Sequence, residues 1–198
     1  MTHRPLLKVC GINDAAFAAR AAALGVDYLG FIFEPSSPRA VTPGWARATR
    51  AALPRSVTVV GVFVHQTVGE IRSVVDDVGL DVVQLHRAAT DDEIRALQKA
   101  GVRVWTLDDG IRQDGGVADG IVVDGRDGAR SGGTGRLADW PRAHQLAARD
   151  VFTILAGGLG AENLAAAAET GAAVLDVNSA LETAPGVKSI RRLEALMR

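Results

Sequence analysis

The 198-residue chain alternates short runs of β-branched and aromatic residues with alanine-rich segments of helical periodicity, and this alternation most constrains its fold. Eight such runs are predicted strands, at 6–10, 27–33, 57–64, 81–86, 102–107, 120–124, 151–157 and 172–177. Most are continuously apolar, which is typical of parallel strands covered by helices on their outer face. The pattern predicts an α/β protein, a minimal (β/α)8 TIM barrel in which residues 1–198 form a single domain.

The segments between the predicted strands carry helix start and stop signals. Three predicted N-caps are Asn13, Thr42 with Pro43, and Thr90 with Glu93, the last as a capping box. Predicted stop signals are Gly25, Gly79, Gly101 and Gly171. A final helix is predicted within 188–198. The fifth connection differs, because residues 108–120 hold four glycines in thirteen positions, so it is predicted to be a loop or a single turn in place of a full fifth helix.

An open doubly wound sheet is the alternative architecture for such an alternation. No G-x-G-x-x-G follows the first predicted strand, and no G-x-x-x-x-G-K-[ST] occurs in the chain. The usual dinucleotide and P-loop signatures of that architecture are therefore missing, which favours the barrel.

Charge and composition exclude several classes of function. A net charge of -1 and a pI near 6.4 give no electrostatic footprint for nucleic acid or for an anionic membrane. No apolar run approaches the roughly 20 residues of a membrane span, and the first residues lack the apolar region of a secretory leader, so a cytoplasmic protein is expected. The single cysteine and four scattered histidines give neither an internal disulfide nor a metal signature.

Polar residues or glycines stand at the carboxyl ends of the predicted strands. They are Cys10, residues 34–39, His65, His86, Asp108, Asp124, Gly157 with Gly158, and residues 176–179. Each alone has a structural explanation, since such residues commonly cap loops and helices, and a lone cysteine is commonly a small buried apolar residue. In a barrel, however, all of them converge on the end where active sites lie. Their convergence favours a functional site.

Two of the predicted loops indicate a phosphate site. TIM barrels commonly bind phosphate with backbone N–H groups after strands seven and eight. The residues at these positions are Gly157, Gly158, Asn178, Ser179 and Ala180. A phosphorylated small molecule is therefore the expected partner, and the SGGTG segment at 131–135 is predicted to form a mobile cover.

A set of motifs runs in one order along nearly the whole chain. They are KVCG at 8–11, GVDYLGFIF at 25–33, SPR at 37–39, VGVFV at 60–64, QLH at 84–86, GGTG at 132–135, DW at 139–140, AGGL at 156–159, EN at 162–163, DVNS at 176–179, Glu182 and PGVK at 185–188. In this combination and order the chain resembles the phosphoribosylanthranilate isomerases of tryptophan biosynthesis.

The resemblance implies an Amadori rearrangement of N-(5'-phosphoribosyl)anthranilate to 1-(2-carboxyphenylamino)-1-deoxyribulose 5-phosphate, without metal or organic cofactor. It implies that Cys10 is the general base that removes the proton from C2' and that Asp124 is the general acid that protonates the furanose oxygen. Arg39 would bind the anthranilate carboxylate through its planar donor fork. His86 and Asp176 fall on the family's other polar pocket positions.

These roles require shifted pKa values. A cysteine thiol is mostly protonated at neutral pH, and the N-terminus of the first helix is the expected means of lowering the pKa of Cys10. A carboxyl group is mostly ionised there, and burial near other acidic groups is expected to raise the pKa of Asp124.

The chain departs from the family pattern at a few positions, and alternatives stay open. Arg87 follows His86 where glycine is usual, Ala180 stands where glycine is usual, and His65 is uncommon at its position. One alternative is another phosphosugar isomerase or epimerase barrel, although the paired metal-binding histidines of a ribulose-phosphate epimerase are missing. Another is a catalytically silent barrel that binds phosphorylated metabolites. A monomer or a weak homodimer is expected.

Overall fold

The computed structural model describes residues 4–111, 114–125 and 139–198, in which eight parallel strands form a closed barrel. The strands pair in chain order, and the last closes against the first. They are β1 Leu6–Val9, β2 Tyr28–Ile32, β3 Thr58–Phe63, β4 Val82–Leu85, β5 Arg103–Leu107, β6 Gly120–Val123, β7 Thr153–Ala156 and β8 Val174–Val177. The structure confirms the TIM barrel, and each of the eight strands is slightly shorter than predicted.

Helices cover the outside of the barrel. They are α1 Ala15–Ala23, α2 Pro43–Ala52, α3 Val68–Val78, α4 Asp91–Gln98, α5 Trp140–Ala147, α6 Leu164–Ala168 and α7 Ile190–Leu196. Among the residues described between β5 and β6 there is no helix, which confirms the prediction for the glycine-rich connection. A shorter hairpin, β9 Glu182–Ala184 and β10 Val187–Lys188, lies between β8 and α7 and was not predicted.

Strand periodicity divides the buried residues into two cores. Side chains that alternate outward, such as Leu29, Phe31 and Val83, pack with buried helix residues between sheet and helices. Those that alternate inward form the second core and are Tyr28, Val60, Val82, Trp105, Val122, Ile154, Ala156 and Val174. The rings of Tyr28 and Trp105 lie 5.2 Å apart within this second core.

The seam between β1 and β8 brings distant parts of the sequence together. In its parallel register Leu6 pairs with Val174 and Lys8 pairs with Asp176. Beyond the last strand pair, the N–H of Cys10 donates to the carbonyl of Val177 at 2.9 Å. The register therefore fixes Cys10 beside the end of β8.

Most predicted helix caps are present. Thr42 and Thr90 cap their helices, and Glu93 completes the predicted capping box. A second capping box, Thr67 with Glu70, was not predicted. The four glycines predicted to end helices have positive φ angles, at Gly25, Gly79, Gly101 and Gly171.

The predicted cap of α1 is wrong by one residue. Asp14 is the N-cap, and its carboxylate accepts the N–H groups of Ala16 and Phe17. The side chain of Asn13 instead donates to the carbonyl of Gly186 at 3.0 Å. Both residue types are good N-caps, so only the tertiary contact decides between them.

No helix within the described ranges combines the length and apolar character that a membrane crossing requires.

The capping box of α4 generates a prediction about acid stability. Glu93 Oε1 lies 2.7 Å from Arg87 Nη2, and hydrogen bonds from Arg87 and then Thr90 lower the pKa of Glu93 from 4.5 to about 2. Because the folded-state pKa is the lower one, this stabilisation is present above the unfolded pKa and is lost as pH falls through the folded value. We expect Glu93→Gln to lower the free energy of unfolding at neutral pH by on the order of 1 kcal/mol, a figure already reduced for solvent screening.

Urea denaturation at neutral pH and at a pH between the two pKa values measures this effect, and the loss should shrink in acid. Glu70→Gln is the matched control, because Glu70 makes the same box with Thr67 while no arginine pairs with it in the described part of the chain. Equal losses for both variants at neutral pH would contradict the role given to Arg87.

Candidate active site

Polar side chains from four strands meet at the carboxyl end of the barrel. Cys10 follows β1, His86 follows β4, Asp124 follows β6 and Asp176 lies in β8. His86 Nε2 lies 3.5 Å from Asp124 Oδ2. The charge of Asp176 acts on both Cys10 and Asp124. The structure thus brings together four of the site residues expected from the sequence.

A lysine lies beneath this group inside the barrel. Lys8 is fully buried, and its ammonium lies 2.5 Å from Asp176 Oδ2. Because residues two apart on a strand point to the same side, Lys8 and Cys10 share the inner face of β1. The positive charge of Lys8 acts on the Cys10 thiol from this position.

Burial is the dominant influence on the Cys10 thiol. It raises the pKa of Cys10, and the charges of Lys8 and Lys188, which lower this pKa, only partly oppose it. The N-terminus of α1 was expected to lower the pKa of Cys10. Asp14 already accepts the first N–H groups of that helix, so the helix terminus is not the group that opposes the effect of burial. The expectation of a lowered Cys10 pKa is therefore wrong in its net direction, and lysine side chains rather than a helix terminus work against burial.

Asp124 agrees with the expectation made for it. Burial raises the pKa of its carboxyl group, His86 lowers it, and the negative charge of Asp176 raises it further. A glycine makes room for this carboxyl: Gly157 has φ +92°, and a Cβ there would lie 2.7 Å from Asp124 Oδ1 and 2.5 Å from the Gly125 nitrogen. The backbone of the β7 loop therefore packs directly on Asp124.

Arg39 is held by an ion-pair network on the other side of Cys10. Its Nε and Nη2 each lie 2.7 Å from one oxygen of Glu182. Lys188 donates to the same carboxylate at 2.9 Å and to the side-chain oxygen of Asn178 at 2.7 Å. The bidentate bond leaves Nη1 as the guanidinium nitrogen that Glu182 does not engage. The network fixes where the guanidinium sits.

Glycine also sets how closely this network approaches β1. A Cβ on Gly11 would lie 2.6 Å from Arg39 Cδ and 2.9 Å from Asn178 Oδ1. Gly11 has φ +70° as well, so a larger residue would be strained in both backbone and packing. The arginine therefore lies against the residue that directly follows Cys10.

The loops after β7 and β8 adjoin one another. Asn163 stabilises the first loop, since its Oδ1 accepts the Gly160 N–H and its Nδ2 donates to the Gly158 carbonyl, both at 2.9 Å. The second loop is a short 3-10 turn, Ser179–Leu181, whose first N–H groups have no side-chain cap. A Cβ on Gly160 would lie 3.1 Å from Ala180 Cβ. The residues expected to bind phosphate thus lie on two neighbouring loops.

Three strand-end residues do not join the site. His65 is exposed. Arg87 pairs with Glu93 at the start of α4, so it neither crowds the pocket nor points freely to solvent. Asp108 forms a bidentate bond to Arg142 of α5, with distances of 3.1 and 2.9 Å. The Arg87–Glu93 and Asp108–Arg142 pairs connect α4 and α5 to the ends of their neighbouring strands.

The predicted cover at 131–135 lies outside the described residues. Within the described ranges, no group of three or more His, Cys, Asp and Glu side chains is arranged to hold a metal ion.

The sequence reasoning missed three charged residues of this region. They are Lys8, Glu182 and Lys188. One signal was available for Lys8: a charged residue in an otherwise apolar strand, two positions before Cys10. For Glu182 and Lys188 the pairing depends on the unpredicted hairpin, in which their backbones are register partners.

The fold and these side chains define a class of protein, a (β/α)8-barrel enzyme with a buried thiol and a partly buried carboxyl group at the carboxyl end of the barrel. The model of the family N-(5'-phosphoribosyl)anthranilate (PRA) isomerase matches residues 7–198. The N-(5'-phosphoribosyl)anthranilate isomerase of Granulibacter bethesdensis is 38% identical over 192 residues, which cover 92% of this chain and 91% of that protein. The chain belongs to the PRA isomerase family.

Solved structures agree with this assignment. The phosphoribosyl anthranilate isomerase from Thermus thermophilus superposes with a TM-score of 0.87 and 33% identity, covering 97% of this chain and 96% of that one. A second isomerase, solved in complex with reduced 1-(o-carboxyphenylamino)-1-deoxyribulose 5-phosphate, has a TM-score of 0.81 and 26% identity, covering 98% of this chain and 96% of that one.

The space around Cys10 generates a prediction. A Cβ on Gly30 would lie 2.8 Å from the Cys10 sulfur and 3.1 Å from its Cα. We expect Gly30→Ala to displace the thiol and to lower isomerase kcat by roughly tenfold to a hundredfold, since small misplacements of a reacting group cost that much. Steady-state kinetics measure the loss.

Gly44→Ala is the control, because a Cβ at that helical position meets nothing within 4 Å. It should leave activity unchanged. Wild-type kcat in a folded Gly30→Ala variant would contradict the claim that this contact positions Cys10.

Proposed function

We propose that the protein converts N-(5'-phosphoribosyl)anthranilate to 1-(2-carboxyphenylamino)-1-deoxyribulose 5-phosphate, with Cys10 as general base and Asp124 as general acid. The observation that supports these roles is that a buried thiol and a partly buried carboxyl group follow β1 and β6 at the same end of the barrel, where the charge of Asp176 acts on both. The relative solved with the reduced form of that product supports the choice of ligand.

Asp124 begins the reaction in this proposal. Its proton passes to the furanose oxygen, the C1'–O bond breaks, and the anthranilate nitrogen lone pair forms the C1'=N bond of a protonated Schiff base. A carboxyl group must hold its proton until this step, and burial with the nearby charge of Asp176 raises the pKa of Asp124 in that direction.

Cys10 completes the rearrangement. Its thiolate takes the proton from C2', and the C–H electron pair forms the C1'=C2' bond of an enolamine while the Schiff-base nitrogen becomes neutral. Tautomerisation of the enolamine to the ketone gives the product. Burial raises the pKa of Cys10, so the cations around it determine how much thiolate is available.

Arg39 would bind the anthranilate carboxylate. Glu182 holds its Nε and Nη2, so Nη1 is the donor that can face a ligand without breaking the ion pair. His86 and Asp176 would contact the sugar portion, because both lie in the group that contains the proposed base and acid.

The adjoining loops after β7 and β8 would hold the phosphate. Backbone N–H groups of Gly157, Gly158, Ser179 and Ala180 suit an anion, and the Asn178 backbone begins the second loop. The Asn178 side chain already accepts from Lys188, so its contribution to this site is positional.

The proposed acid and base can be tested separately. We expect Cys10→Ser and Asp124→Asn each to lower isomerase kcat on the order of a hundredfold or more, because each removes one proton-transfer group. The decay of fluorescence of freshly prepared phosphoribosylanthranilate measures turnover. Asp92→Asn, an exposed carboxylate in the first turn of α4, is the control and should match wild type.

An unchanged rate in either site variant would remove that residue from its role. Binding of the phosphorylated ligand without turnover by the wild-type protein would favour the silent barrel over the isomerase.

The role of Arg39 has a distinct kinetic signature. Arg39→Lys keeps the charge but loses the planar fork held by Glu182. We expect KM for phosphoribosylanthranilate to rise by roughly tenfold with a smaller change in kcat, because the Nη1 donor to the ligand carboxylate and the bidentate bond that positions it are both lost. A variant with unchanged KM would show that the anthranilate carboxylate binds elsewhere.

A further inference from the structure

Lys8 is the one charged side chain that the inner face of β1 places below the site. It is fully buried, and Asp176 is 6% exposed, so both charges of the pair are removed from water. A buried ion pair gives no clear gain in stability over apolar residues of the same volume. Its presence in the barrel interior, where most neighbours are apolar, calls for a function other than holding the fold.

The charges of the pair act on the two groups proposed to move protons. The Lys8 ammonium lies 2.5 Å from Asp176 Oδ2, and its charge acts on the Cys10 thiol two residues along β1. Asp176 in turn acts on Asp124. Its second oxygen, Oδ1, is buried and has no hydrogen-bond partner within the described residues. A buried carboxylate oxygen without a partner is costly, which is typical of a group kept for a ligand or for its charge.

We propose that Lys8 is a positioning residue of the isomerase reaction, whose buried ammonium pairs with the Asp176 carboxylate and supplies the counter-charge that favours the thiolate form of Cys10 against the effect of burial. This inference rests on the proposed function. It names the Lys8 ammonium as the group that allows a buried thiol to act as a base. Lys8 acts through Cys10 and Asp176 and touches neither C2' nor the furanose oxygen in this scheme.

All the charges that face Cys10 bear on this inference. Lys8 and Asp176 lie on β1 and β8, Lys188 on β10, and Arg39 on the segment that follows β2. Glu182 already pairs with both Arg39 and Lys188, so much of their positive charge is compensated. Of the two lysines, Lys8 has the larger effect on the Cys10 thiol, and it lies two residues away on the same inner face of β1.

The Lys8–Asp176 pair as a whole acts differently on base and acid. Lys8 lowers and Asp176 raises the pKa of both Cys10 and Asp124, but Lys8 has the larger effect on Cys10 and Asp176 has the larger effect on Asp124. The pair therefore favours the thiolate at Cys10 and the protonated carboxyl group at Asp124, as acid–base catalysis at one pH requires.

The single cysteine of the chain makes the test specific. The ultraviolet absorbance of the thiolate is titrated with pH in the wild type, Lys8→Met and Asp176→Asn, with Cys10→Ser as the blank. Lys8→Met removes the cation, so the Cys10 titration should move to higher pH by about one pH unit or more. Asp176→Asn removes the anion, so the Cys10 titration should move to lower pH. Both variants break the same ion pair, and a merely structural pair would not move the titration in opposite directions.

Turnover provides the second readout. For Lys8→Met, kcat at neutral pH should fall by about tenfold or more and recover as pH rises, with KM little changed, since one pH unit corresponds to a tenfold change in thiolate. If the single variants fail to fold, the double variant Lys8→Met/Asp176→Asn is measured in their place, because it leaves neither charge of the pair buried without its partner. In the double variant the Cys10 thiol should titrate at a higher pH than in wild type and at a lower pH than in Lys8→Met, because the effect of Lys8 on Cys10 exceeds that of Asp176.

An unchanged thiolate titration in both Lys8→Met and the double variant would overturn the inference. A loss of kcat in Lys8→Met that does not recover at high pH would do the same. Failure of the proposed function is distinguishable, because wild-type protein without isomerase turnover would still show the opposite titration shifts if Lys8 acts on Cys10 as argued.

Discussion

The seam between β1 and β8 is the constraint on which the rest of the site depends. These strands come from opposite ends of the chain, and their register sets Lys8 beside Asp176. A slip of one residue would turn Lys8 and Cys10 away from the barrel interior, since strand side chains alternate in direction. Closure of the barrel therefore does more than complete the fold, because it assembles the ion pair and places the thiol above it.

The site consists of charges that restrain one another. Lys8 and Asp176 form one buried pair, and Arg39, Glu182 and Lys188 form a second group close to Cys10. Burial disfavours each isolated charge, so every member depends on its partners to stay ionised. The proton affinities of Cys10 and Asp124 are therefore influenced by charged residues that come from several strands.

The sequence was sufficient for the architecture. Continuous apolar runs with helical segments between them predicted all eight strands, and the positions of Cys10, His86 and Asp124 at strand ends predicted that they converge. These inferences succeed because hydrophobic periodicity and strand direction are local properties that global topology then combines. The glycine-rich fifth connection was predicted for the same reason.

What the sequence did not reveal depends on register and tertiary contact. Asp14 replaced Asn13 as the helix cap because Asn13 has a partner at Gly186, over 170 positions away. The direction of the Cys10 pKa depends on how deeply the thiol is buried, and the role of Lys8 depends on its partner across the seam. These features depend on contacts between residues that are far apart in the sequence, and hydrophobic periodicity does not predict such contacts.

The proposed mechanism requires Cys10 and Asp124 to act on one ligand from the same pocket. A crystal structure of the Asp124→Asn variant with the reduced rearrangement product bound would show both contacts at once. We expect the Cys10 sulfur within about 3.5 Å of C2', with residue 124 beside the oxygen that leaves the furanose ring. A ligand that contacts only one of these residues, or a thiol turned away from the sugar, would contradict this mechanism.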